Sequence, residues 1–162
     1  KNLNLYVLTT DPVGLYTTAD SIIKQNLKTW INKYKMIGDT IDILDGRILN
    51  LQINFSVVGF ANVNKYDVIA TCIQTLSNYY MNYYHDIGEP FKITSIYKLL
   101  NNIPSVVDTK HVEVTVAEGV SYSSYQMPYE QLISSDGRYL IPPEDTVFEI
   151  KYPTSDIYGE VI

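Results

Sequence analysis

The sequence predicts an α+β fold with a β-rich C-terminal arm. Three observations carry that expectation. Two amphipathic helical patterns, at about residues 19–37 and 65–87, each sit between strand patterns. Residues 49–57 alternate strictly between apolar and polar side chains. After residue 118 the chain becomes aromatic and proline-punctuated, with no helical period.

Residues 3–10, LNLYVLTT, read as a strand of apolar and β-branched residues. DPVG, 11–14, reads as a turn. Thr17 or Thr18 can cap the helix that follows, with Asp20 helping in its first turn. Ala19, Ile23, Leu27, Trp30, Ile31, Tyr34 and Ile37 then share an arc of roughly 120° at 100° per residue, and Gly38 is the expected stop. In residues 40–60, Ile41 and Ile43 alternate with polar neighbours, and Asp45-Gly46 is a two-residue hairpin signal. Leu49, Leu51, Ile53, Phe55 and Val57 then form one apolar face of a long strand.

Asn64 can start the second long helix. Ile69, Cys72, Ile73, Leu76, Tyr79, Tyr80, Tyr83 and Tyr84 lie on an arc of roughly 140°, and Gly88 is the expected end. Pro90 stops that helix from continuing. Thr94 or Ser95 can open a short helix carrying Ile96, Leu99 and Leu100, closed by Pro104. Val112, Val114 and Val116 alternate in the strand after it.

The order through residue 118 is therefore β-α-β-β-α-(α)-β, a split βαβ or ferredoxin-like pattern. It predicts one domain over 1–118, four antiparallel strands with two helices on one face, the short helix being a spacer. Residues 119–162 are expected to form a β-rich arm or hairpin extension with little core of its own. Asp136-Gly137 reads as a hairpin turn, with strands at 138–141 and 146–150.

The chemistry-bearing residues do not converge in the sequence. The eight glycines are scattered, so no phosphate loop is expected. Cys72, His85 and His111 lack zinc spacing, and both histidines read as structural or solvent-facing. Asp39, Asp42 and Asp45 read as a helix exit, an exposed strand position and a turn, because strand alternation turns Asp42 away from the others. Cys72, mid-arc on a helix, reads as a small core residue. No G-x-S-x-G elbow exists. No catalytic residue, cofactor or metal is expected.

Among 162 residues, 46% are hydrophobic and 19% charged, an ordinary globular composition. A net charge of −6 disfavours nucleic-acid backbones, and VVGFANV, 57–63, lacks the basic and aromatic spacing of an RNA-recognition signature. No apolar run approaches membrane-spanning length, and no secretory leader follows Lys1. The absence of an initiator methionine suggests a piece of a longer polypeptide. The single cysteine rules out an internal disulfide and fits a reducing compartment. Fifteen tyrosines against four phenylalanines suit surfaces that are part core and part wet. A codon preference for tyrosine would give the same count.

Over residues 20–114 the sequence resembles a known family. LKTWINKYKMIGDTIDILDGRILNLQINFSV (27–57), a long helix, then IGEPFKITSIYKLLNNIPSVVDTKHVEV (87–114) look like the baseplate J-like family of contractile phage tails and related injection machines. DGRYLIPPEDTVFEIKYPTSDIYG (136–159) looks more narrowly like the large baseplate wedge proteins of T-even-type myophages, in their C-terminal part. The motifs are patterned positions, not reactive groups. Pro104-Ser105 departs from the pattern, since relatives often have a glycine there; that bears on the local turn.

The resemblance implies a non-enzymatic virion protein, assembled in the host cytoplasm. It implies partners that are copies of itself, as a dimer, and other baseplate wedge proteins, in a ring around the tail hub that rearranges on host attachment. It implies no nucleic acid, no membrane and no small-molecule substrate. Tyr129, Tyr139, Phe148, Tyr152 and Tyr158 are the candidate interface residues, attaching the arm to a neighbouring chain; the alternative is that they pack on their own domain. A ferredoxin-like small-molecule-sensing regulatory domain is the other function class the pattern allows.

Overall fold

The computed structural model describes all of residues 1–162 and is a mixed α+β fold. Its organising element is β5, Arg47–Gly59, thirteen residues long. Leu49, Leu51, Ile53, Phe55 and Val57 are buried at alternate positions, as the sequence predicts. Along one edge β5 pairs antiparallel with β7, Val106–Val116. Along the other it pairs parallel with β9, Thr146–Glu149, over its first half, and with β10, Ile157–Val161, over its second.

Two helices connect β5 to β7. Asn64 caps α2, Lys65–Asn82, by accepting a hydrogen bond from the Tyr66 amide. Val68, Cys72, Leu76 and Tyr80, one every four residues, are its buried ridge. The helix ends at Asn82, short of Gly88, so Tyr83 and Tyr84 lie beyond it and are exposed. After β6, Phe91–Lys92, comes α3, Ile93–Asn101, which buries Ile93, Ile96 and Leu100. It has no side-chain cap; neither Thr94 nor Ser95 serves as one.

The short helix is thus no spacer. A strand-helix-strand unit with one helical pass returns its second strand parallel to the first. A second pass reverses the chain again, and β7 meets β5 antiparallel as its immediate neighbour. A ferredoxin-like split pattern would leave a strand's width between them.

The expected Asp45-Gly46 hairpin is not formed either. β4, Thr40–Asp45, pairs parallel with β1, Asn2–Val7, and the chain runs on through Gly46 into β5. Gly46 is not in the left-handed region. It is small because a Cβ there would lie 2.8 Å from the Leu8 side chain. The dipeptide marks a close approach, and the strand changes partners there: the Gly46 amide donates to Val7 and the Arg47 amide to Asp145. The four-stranded antiparallel sheet expected of residues 1–118 is replaced by these pairings.

Residues 119–162 belong to the main core. Leu132, Leu140, Phe148, Ile150 and Ile157 join the same cluster of buried residues as β5, α2, α3 and β7. The short helix α4, Tyr129–Leu132, contributes Leu132; β8, Tyr139–Leu140, pairs with β6 and contributes Leu140. The Asp136-Gly137 turn forms as expected, with Gly137 at φ +72°, but its strand pairs with β6, not with 146–150. Residues 1–45 contribute nothing to that cluster.

Two substitutions test this core. Phe148→Ala should cost about 3–5 kcal/mol in urea unfolding, as for any large aromatic removed from a filled interior. Gly159 faces Phe55, and a Cβ there would lie 2.5 Å from the ring; Gly159→Ala should cost about 1–3 kcal/mol by overpacking. Near-neutral effects of both on the unfolding midpoint would show that the C-terminal strands are not integral.

Candidate interaction surface

The N-terminal segment folds as a small separate layer. Its first turn is closed by Asp11, whose carboxylate accepts from the Val13 and Leu15 amides at 2.9 Å each. A two-residue ribbon, β2 (Thr9–Thr10) with β3 (Tyr16–Thr17), brackets it. Asp20, not Thr17 or Thr18, caps α1, Ser21–Ile31, accepting from the Ile23 amide at 2.8 Å. Thr17 is occupied in β3. The helix stops at Ile31, and turns carry the rest of the predicted pattern to Gly38, φ +90°.

The apolar arc is present but only partly covered: Ala19, just before α1, is buried, and Leu27 and Ile31 are half-buried. Not one residue of the helix is buried. Ile22 and Ile23 are exposed, Trp30 is 58% exposed, and Tyr34, Met36 and Ile37 continue the apolar surface past the helix end. Trp30 and Tyr34 pack against each other with centroids 5.0 Å apart. Leu3 and Leu5 of β1 and Leu44 of β4 add to the exposed apolar total.

Beneath α1 lies a two-stranded parallel sheet with Leu3 paired to Ile41 and Leu5 to Ile43. Of these, only Ile41 is buried. Parallel strands are ordinarily covered on both faces, and two strands alone are marginal in water. Both outer edges, of β1 and of β4, carry backbone groups with no strand beside them. The layer therefore has the chemistry of half an interface: exposed aromatic and aliphatic groups beside open sheet edges.

The arm residues proposed from sequence do not form one patch. Phe148 is 1% exposed and stacks edge-on against Phe91, so it is a core residue and no contact for a neighbour. Tyr129 and Tyr139 are half-buried. Tyr152 and Tyr158 are exposed at different places, Tyr152 near Tyr122 and Tyr158 on β10.

The reactive side chains are also dispersed. Asp45 pairs with Lys24 at 2.9 Å and Asp39 with the N-terminal amine at 3.5 Å. Cys72 is fully buried, and that burial pushes its thiol up to about 11, a poor nucleophile. No three His, Cys, Asp or Glu side chains converge, and no helix is long and apolar enough to cross a membrane. His111 is exposed. His85, past the end of α2, is buried and stacks on Tyr80 and Phe91. Compared with known proteins, the chain matches no family model and no curated sequence.

Burial holds the His85 imidazole below its ordinary pKa of 6.5, against the pull of Glu89 and Asp86. The unfolded chain therefore binds this proton more readily than the folded one. Stability should fall as pH drops below 6.5 toward the depressed folded value. Chemical denaturation at pH 7.5 and in steps toward 5 should show that loss, and His85→Phe should shrink it; an unchanged slope in the variant would assign the loss elsewhere.

Proposed function

We propose that this chain is a structural, non-catalytic module of a contractile-tail baseplate wedge in the virion. In this reading it joins copies of itself and other wedge subunits into the ring around the tail hub, and takes part in the rearrangement of that ring on host attachment. The family comes from the resemblance of residues 20–114 and 136–159. The observation that carries an assembly role is the set of exposed apolar groups on β1, β4 and α1. An apolar surface of this kind on a two-stranded sheet is what protein contacts use and what a freestanding domain avoids.

The experiment is light scattering after size exclusion, over a concentration series, alone and with other wedge subunits. The chain should associate with itself or with those subunits. Replacing Ile22, Trp30 and Ile37 together by Ser should weaken that association tenfold or more, by about 1.4 kcal/mol at least. Since Ile22, Trp30 and Ile37 are all exposed, the triple variant should keep its circular dichroism and melting temperature. A chain that stays monomeric in every mixture, or a variant that associates as well as the original, would remove the assembly reading.

A further inference from the structure

A second feature lies at the C-terminal end of β9 and owes nothing to the assembly reading. A cavity of about 440 Å³ opens between the turn at 13–16, the end of α2 and residues 148–154. Aromatic rings line much of it, Tyr16, Tyr80, Tyr84 and Tyr152 among them, with the buried ring of His85. Tyr16 and Tyr84 meet edge to face, centroids 6.2 Å apart.

One carboxylate, Glu149, shares the cavity. Its Oε2 accepts from the Tyr16 amide at 2.7 Å and its Oε1 from the Asn50 side chain at 3.3 Å. It takes part in none of the chain's salt bridges. Burial raises its pKa, with the Tyr16 and Asn50 hydrogen bonds and the Lys151 charge opposing. The cation nearest in sequence, Lys151, lines the same cavity but donates to the Ser121 carbonyl and lies 5.6 Å from the Tyr152 centroid. Asp11 adds negative potential at Glu149, and Asp86 and Glu89 add it at Tyr16.

The walls are set before any ligand arrives. The Tyr16 hydroxyl donates to the His85 carbonyl at 2.6 Å. Gly14, at φ +96°, lets the turn approach Tyr84 so closely that a Cβ would lie 2.9 Å from its hydroxyl. Tyrosine faces carry negative potential, and a cation gains most over them when partly desolvated beside a carboxylate. With a neutral guest the only positive charge acting on Glu149 is Lys151, which lines the cavity but is hydrogen-bonded elsewhere, and an anion would meet the Glu149 carboxylate.

We infer that this cavity binds an organic cation of the alkylammonium class, with its charge toward Glu149 and its carbon groups against the tyrosine rings. The cation arrives either free or as a lysine-type side chain of another protein. The full chain, labelled at the Met81 methyl on the cavity wall and at tyrosine ring carbons, is titrated by NMR at matched ionic strength. The free-cation probe is tetramethylammonium, with tert-butanol as its neutral counterpart. The side-chain probes are N-acetyl-lysine and N-acetyl-trimethyllysine methylamides, with N-acetyl-norleucine methylamide as theirs.

The cations should shift cavity resonances saturably, with Kd on the order of 1 mM, about tenfold more tightly than the neutral counterparts. Tighter binding of the lysine probes than of tetramethylammonium assigns a protein side chain as the source; the reverse order assigns a free cation. Glu149→Gln keeps an acceptor for the Tyr16 amide and should weaken cations about tenfold while leaving norleucine methylamide unchanged. Tyr84, 55% exposed, can become Ala without emptying the core, and should weaken the cations too. The inference is overturned by equal affinity for cation and neutral probe, by unchanged cation binding in Glu149→Gln, or by no saturable shift at about 100 mM.

Discussion

The fold rests on the pairing of β5 along both of its edges. Thirteen residues of one strand hold β7 on one side and β9 with β10 on the other. Leu132, Leu140, Phe148, Ile150 and Ile157 of the C-terminal third lie in the same cluster as this strand's inward face. The opposite face is polar: Gln52, Asn54 and Ser56 stand opposite Thr115, Glu113 and His111. That asymmetry fixes which side the helices must cover, because slipping the register by one residue would put Phe55 in water and Asn54 in the core.

Stability and the two surface features then separate by location. The main core, from β5 onward, is one cluster of 22 buried residues, and the chain has no orphaned buried side-chain polar atom. Residues 1–45 are attached to it by continuity through Gly46, by Leu8 against that glycine, and by Tyr16, which reaches both Glu149 and His85. The exposed apolar groups of α1, β1 and β4 lie on the attached layer. The aromatic cavity lies at the seam where that layer meets the core, which is why its lining comes from both. Ligand binding at the seam and burial of α1 by a partner would therefore both act on how firmly the layer is held.

Much of the architecture was legible in the sequence, and the failures share a cause. Alternation at 49–57, the four-residue repeat of Cys72, Leu76 and Tyr80, and the Ile96–Leu100 pair all record burial, and burial leaves a period. Asp45-Gly46 misled because glycine answers two different needs, a left-handed turn and a close approach, and sequence does not distinguish them. Strand partners were not legible at all: nothing in Thr146–Glu149 or Ile157–Val161 names β5 as its neighbour. The arc on α1 was read correctly as apolar, but periodicity reports a face without saying what lies against it. The cavity was invisible for a related reason. Tyr16, Tyr84 and Glu149 come from three distant segments that meet only in the folded chain.

The order in which the polypeptide emerges during synthesis gives β10 a further significance. Ile53 must wait for Ile157, about a hundred residues later, before its parallel neighbour exists. Through that interval a long, apolar-faced strand offers an open ladder to any nascent chain nearby, and loop closure of this length is slow. Translation speed and early chaperone capture, more than the final free energy, would then govern how much of this protein reaches its native state in a cell.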